Sequence, residues 1–166
     1  MEYLWAPWRI GYIRGPKEEG CFLCRKSQAS SDDANFIVMR RRNCFALLNT
    51  YPYTAGHMMV APYRHTAEMD ELSGDVLTEM METVCECKRL LARTIKPHGF
   101  NIGLNIGAAA GAGVADHLHW HIVPRWIGDA NFMPVLADVR VLPQSLEELY
   151  HHLKANLATP NGSSHD

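Results

Sequence analysis

Asp116-His117-Leu118-His119-Trp120-His121-Ile122-Val123 sets three histidines in alternation with apolar residues. A period of two is that of a β-strand, so the segment predicts His117, His119 and His121 on one face with Leu118, Trp120 and Ile122 on the other. Three imidazoles on one rigid element could bind a metal as a three-histidine set, or supply a nucleophile whose flanking groups hold its tautomer and its substrate. A polar face packed beneath a loop is the bland alternative, and it would desolvate three imidazoles without compensation. Just upstream, Asn105 to Val114 is a run rich in Gly and Ala, a loop whose backbone N–H groups can approach a phosphate closely.

His117 to Val123 fits the pattern His-φ-His-φ-His-φ-φ, with φ apolar. With Gly111-Ala112-Gly113-Val114-Ala115-Asp116 before it and Pro124-Arg125-Trp126 after, the segment resembles the histidine triad (HIT) family of nucleotide hydrolases and transferases, most of all its bacterial branch that includes diadenosine tetraphosphate phosphorylases. The resemblance implies cleavage at the α-phosphate of a purine nucleotide, in a dinucleoside polyphosphate or a nucleoside phosphoramidate, with His119 as nucleophile through a covalent nucleotidyl intermediate. It places His121 against the phosphate, able to assist proton transfer to the leaving group, and Asn105 nearby. Backbone N–H groups of Ala112, Gly113 and Val114 would hold the developing charge, Asn49 the ribose, and Phe45 with Ile37 an apolar slot for the base. Many members carry Gln where Gly113 stands, so the acceptor here could be phosphate instead of water.

Cys21-Phe22-Leu23-Cys24 is a Cys-x2-Cys pair on a turn, compatible with a redox motif or a zinc knuckle. No second pair follows, so a zinc site needs two histidines from elsewhere. The resemblance to zinc-bearing members supplies them as His65 and His117, which with Cys21 and Cys24 make one structural zinc per chain. His57 reads as a buried structural histidine. Two other functions stay open: a mononuclear metalloenzyme using the three triad histidines, and a nucleotide-binding sensor without catalysis.

The whole chain must position this strand. Its 166 residues fit one domain, with 47% hydrophobic content to fill a core. Sixteen basic against 18 acidic residues leave a formal charge of −2, which gives no attraction to nucleic acid or an anionic membrane. Neither a signal-peptide core nor a run of roughly 20 apolar residues is present, so a cytoplasmic chain is expected, and five cysteines in a reducing compartment predict no disulfide framework.

Along the chain, an aromatic arm over 1–20 precedes the Cys pair, and 26–34 reads as a solvated loop. Apolar runs 36–39 and 44–48 flank Arg40-Arg41-Arg42-Asn43 as a hairpin with a solvated tip, and 57–62 is the next strand. Ser73 caps a long amphipathic helix, with Val76, Leu77, Met80, Met81, Val84, Cys87, Leu91 and Ile95 at helical spacing and Pro97 beyond its end. A strand over 100–106, the triad strand, loop over 126–143 and a helix from about Ser145 to Leu157 follow. His151 and His152 belong to that helix's surface, and 159–166 to a disordered tail after a single domain over 1–158. The class is α+β. The resemblance refines it to a HIT-like fold, an antiparallel five-stranded sheet with one long helix and a C-terminal helix, paired as a two-fold homodimer.

Overall fold

Strands apolar at every position must be covered on both faces. Two here satisfy that condition: β2 (Cys44–Leu48) and β3 (Met58–Pro62) are buried at all ten positions. A computed structural model describes residues 20–129 and 145–158. Within them, β1 (Ile37–Arg40), β2, β3, β4 (Gly99–Leu104) and β5 (Trp120–Arg125) form one antiparallel sheet in the order β1-β2-β3-β5-β4. The last strand in sequence is thus inserted beside β3, with Met59 opposite His121 on one side and Gly103 on the other. That is the α+β fold the pattern predicts.

The long helix lies over 74–95, with the C-terminal helix over 146–158. Their apolar stripes, including Met80, Val84, Cys87, Leu90, Leu91, Leu149 and Leu153, pack with Ala46, Leu48, Met58, Val60, Leu118 and Ile122 on one face of the sheet. Lys96, at φ 46°, closes the long helix in the left-handed region just before Pro97, which has no N–H to continue it. Tyr150 anchors the last helix by donating its hydroxyl to Asp33 at 2.7 Å and the Ile37 carbonyl at 3.2 Å.

The expectation of a solvated loop over 26–34 needs correction. Two short helices, α1 (Phe22–Gln28) and α2 (Asp32–Asn35), occupy this region, and Cys24 lies inside α1 instead of on a turn. Leu23 is the one buried residue of α1, too little to show a helical period, and it packs against the other sheet face with Ile37, Phe45, Leu47, Met59 and Ala61. Ser31 caps α2 through the Ala34 N–H, a local device invisible to periodicity. In chain order the long helix is α3 (Gly74–Ile95) and the last is α4 (Leu146–Ala158).

Of the three arginines, Arg40 is the last residue of β1 and half-buried, while Arg41 and Arg42 are exposed, as expected of a solvated tip. Arg40 donates to Asp32 and to the carbonyls of Ser27 and Ala29, and Arg41 pairs with Glu86 of α3. Glu79 accepts the backbone N–H groups of Arg42 and Asn43, so the hairpin is pinned to α3. His151 and His152 are exposed, as expected. The aromatic arm, the loop over 130–144 and the tail from 159 lie outside the described residues.

Gly56 is fixed by both conformation and space. Its φ is +76°, and an added Cβ would stand 2.6 Å from Ile95 Cδ1 and 3.1 Å from Leu91 Cδ2. Gly56→Ala should therefore lower the urea unfolding free energy by about 1–3 kcal/mol through overpacking and left-handed strain. An unchanged midpoint would mean that the loop before β3 relaxes freely.

Candidate active site and metal cluster

Residues 117–119 lead into β5 in the same alternation that the strand continues. Leu118 and Ile122 are buried in the core between sheet and helices, while His117, His119 and His121 take the other face. Sheet pairing starts at Trp120, so His117 and His119 stand ahead of the strand proper, held partly by the Leu118 N–H on the Thr66 carbonyl at 2.7 Å.

Each triad ring has a different partner. His117 Nε2 lies 2.9 Å from the Pro62 carbonyl oxygen, to which it donates, so the lone pair belongs to Nδ1. That Nδ1 is 3.2 Å from Cys21 Sγ, 3.5 Å from Cys24 Sγ and 3.2 Å from His65 Nδ1. His119 Nδ1 lies 2.8 Å from the His117 carbonyl oxygen, a geometry that puts the proton on Nδ1 and leaves Nε2 with its lone pair. Its ring is buried and meets His121 edge-on at 4.7 Å between centroids. Burial holds both His117 and His119 below the ordinary imidazole value, and their carbonyl partners only partly oppose it. Both rings are therefore neutral at pH 7.

Cys21, Cys24, His65 and His117 offer four ligand atoms that all lie within 4.8 Å of one another. Ligands at tetrahedral metal bond lengths stand roughly 3.3–3.8 Å apart, so the cluster fits one ion with little adjustment. As a free thiol Cys24 is pushed up to about 11 by burial and by the Cys21 thiol beside it, and metal ligation would displace that proton. His65 Nε2 is 3.7 Å from Asp116 Oδ2, placing a carboxylate behind a ligand. Four protein ligands leave no open position, so an ion here would tie α1 and the turn after β3 to the approach of β5.

The remaining expected site residues are spread around this face. Asn105 donates to the Gly111 carbonyl at 3.5 Å across the loop after β4, in which Gly107 and Gly111 adopt positive φ. Ala112 and Val114 are half-buried and Gly113 is exposed in the same loop. Asn49 follows β2 at the start of the loop to β3, giving its backbone N–H to the His57 carbonyl and taking the Tyr51 N–H on its side-chain oxygen. Ile37 and Phe45 have no exposed surface, enclosed with Leu23 while the Phe45 ring stacks on Tyr63 at 5.4 Å. Any base slot there would have to open.

A model of the HIT domain matches residues 30–126, more than half of the chain. The chain belongs to the HIT family. A Mycobacterium tuberculosis protein named AP-4-A phosphorylase is 37% identical over 156 residues, covering 89% of this chain and 80% of its own. An asymmetrical bis(5'-nucleosyl)-tetraphosphatase of Schizosaccharomyces pombe is 29% identical over 89 residues, 54% of this chain and 48% of its own. Among solved structures, a Zn-bound histidine triad family protein from Mycobacterium smegmatis superposes with a TM-score of 0.67 at 26% identity, covering 84% of this chain and 94% of the other.

One residue of this HIT site escapes a reading of the sequence. His57 is buried, as expected, but its Nε2 lies 2.9 Å from His121 Nδ1, which joins it to the triad. The signal is one of parity: His57 shares a face with Met59, and Met59 stands opposite His121. It becomes readable only once the register of β3 on β5 is known.

Proposed function

We propose that this chain cleaves dinucleoside polyphosphates at the α-phosphate of a purine nucleotide, through a nucleotidyl intermediate on His119. The observation that carries this reading is the Nδ1–H of His119 committed to the His117 carbonyl, which leaves a neutral, lone-pair-bearing Nε2 on a buried ring. Attack of Nε2 on the α-phosphorus forms the N–P bond as the bridging oxygen departs with the polyphosphate. An acceptor oxygen then displaces the imidazole. His121 and the N–H groups around Ala112, Gly113 and Val114 face the phosphoryl oxygens, and Asn49 and Asn105 orient the nucleotide.

Phosphate is the acceptor in this proposal. The M. tuberculosis relative's name as a phosphorylase supports it, as does Gly113, which has no side chain to position a water. The metal is zinc, held by Cys21, Cys24, His65 and His117 as a staple that supplies no open coordination position. The assembly is a homodimer, supported by the open edge of β4, where Ile102 is 41% exposed. A cytoplasmic protein fits this chemistry, and among the described residues no helix is long and apolar enough to cross a membrane.

Product analysis with diadenosine tetraphosphate tests the proposal. ADP and ATP, formed only when inorganic phosphate is supplied, are expected. AMP and ATP in either condition would replace the phosphorylase with a hydrolase, and no cleavage in either would refute the substrate class.

A further inference from the structure

The loop from Asn49 to Gly56 brings two donors to one ring nitrogen of His57. His57 Nδ1 lies 3.1 Å from the backbone nitrogen of Tyr53, whose N–H can only donate, so His57 Nδ1 must be an acceptor. The Asn49 amide nitrogen is 3.3 Å from the same atom, a second donor aimed at one lone pair. The Tyr53 ring stacks on the His57 ring at 4.8 Å and 15°, and holds it in this orientation. A neutral His57 therefore carries its proton on Nε2 and gives that hydrogen bond to His121 Nδ1, 2.9 Å away. With its Nδ1 thus committed as acceptor, His121 presents Nε2–H.

This chain of donors runs one way. For His121 to act as a charged acid, its Nδ1 would need a proton, which would face the Nε2–H of His57. Moving the His57 proton from Nε2 to Nδ1 would then set an Nδ1–H against the Tyr53 N–H and the Asn49 amide. Either arrangement opposes two donors across a short contact.

We propose that Tyr53 and Asn49 are positioning residues that hold His121, through His57, as a neutral hydrogen-bond donor, and that this restricts the enzyme to leaving groups that depart unprotonated. Polyphosphates leave as stable anions and need only a hydrogen bond to the phosphoryl oxygens. An alkylamine leaving from phosphorus must take up a proton as the P–N bond breaks, and among the described residues His121 is not held as an acid that could give it. Phosphoanhydrides are accordingly the substrate class, and alkyl phosphoramidates are excluded. The inference rests on His119 and His121 being the reacting pair.

The test compares two substrates that share one nucleoside, diadenosine tetraphosphate and an adenosine 5'-phosphoramidate of a primary alkylamine. Wild-type kcat/KM should be lower for the amine by roughly 10^2- to 10^4-fold, the usual contribution of a general acid. Asn49→Asp exchanges the second donor for an acceptor with little change of shape and favours a proton on His57 Nδ1. Whatever it does to ribose binding is common to both substrates, so the amine-to-anhydride ratio should rise, by about tenfold or more if an acid is released. Side-chain 15N spectra of the wild type should show His57 unprotonated at Nδ1 and His121 protonated at Nε2.

Equal turnover of the two wild-type substrates, an Asn49→Asp ratio that does not move, or a proton on His57 Nδ1 would each overturn the inference. These failures leave the nucleotidyl-His119 reading intact. That reading fails separately, if His119→Ala keeps turning over the anhydride.

Discussion

His119→Ala is expected to reduce turnover of a dinucleoside polyphosphate by roughly 10^4- to 10^6-fold, the loss seen when a covalent nucleophile is removed. The size follows from the arrangement. No other described group combines a buried neutral ring with an Nδ1–H already held by the His117 carbonyl, and His121 has its Nδ1 joined to His57. Metal content should be unchanged in this variant, because the proposed ligand atoms are those of Cys21, Cys24, His65 and His117. A catalytic metal on the three triad histidines predicts the opposite, loss of the ion together with activity. The geometry argues against that alternative, since His117 gives its Nε2–H to the Pro62 carbonyl and turns its lone pair toward the cysteines, away from His119 and His121. Single-turnover kinetics beside elemental analysis of the same preparation separates the two.

Removing the metal should have the second largest effect, on stability and rate together. At a free ion concentration about 1,000 times its dissociation constant, binding stabilises the folded chain by about 4 kcal/mol, and a chelator or Cys24→Ala would remove that amount. The effect on rate passes through one residue. His117 offers Nδ1 to the cluster, and its carbonyl holds the proton of His119. Releasing His117 loosens the nucleophile's tautomer and direction, for which a decline in kcat of roughly 10- to 100-fold is expected, the scale found for outer-shell positioning groups. Urea titrations with and without chelator, followed by kcat on the fraction that remains folded, check both parts. A metal-free protein that is folded and fully active would reduce the ion to a staple with no bearing on His119.

The triad is legible in the sequence because alternation is a local property. Leu118, Trp120 and Ile122 mark the core side of the approach and strand, and the histidines must then share the other. The cluster of Cys21, Cys24, His65 and His117 is legible only with the resemblance, since 96 residues separate Cys21 from His117 and neither spacing nor composition joins them. The helix α1 escapes a sequence reading because Leu23 is its single buried residue, and α2 because four residues capped by Ser31 carry no period. His57 reads as merely structural for a related reason. Its role depends on the pairing of Met59 with His121 across β3 and β5, and strand register is a property of the assembled sheet. Ile37 and Phe45, expected to line a base slot, are buried with Leu23 and beside Tyr63, a packing that depends on α1.

The most direct test of the central claim is to trap the intermediate. The protein is mixed with diadenosine tetraphosphate without inorganic phosphate, quenched in alkali where an N–P bond survives, and digested for peptide mass mapping. The account predicts an adenylyl adduct on the peptide bearing His119, located to that residue by fragmentation and discharged as ADP when phosphate is added before the quench. Cleavage products that accumulate with no adduct at any time point, or an adduct on another residue, would contradict it.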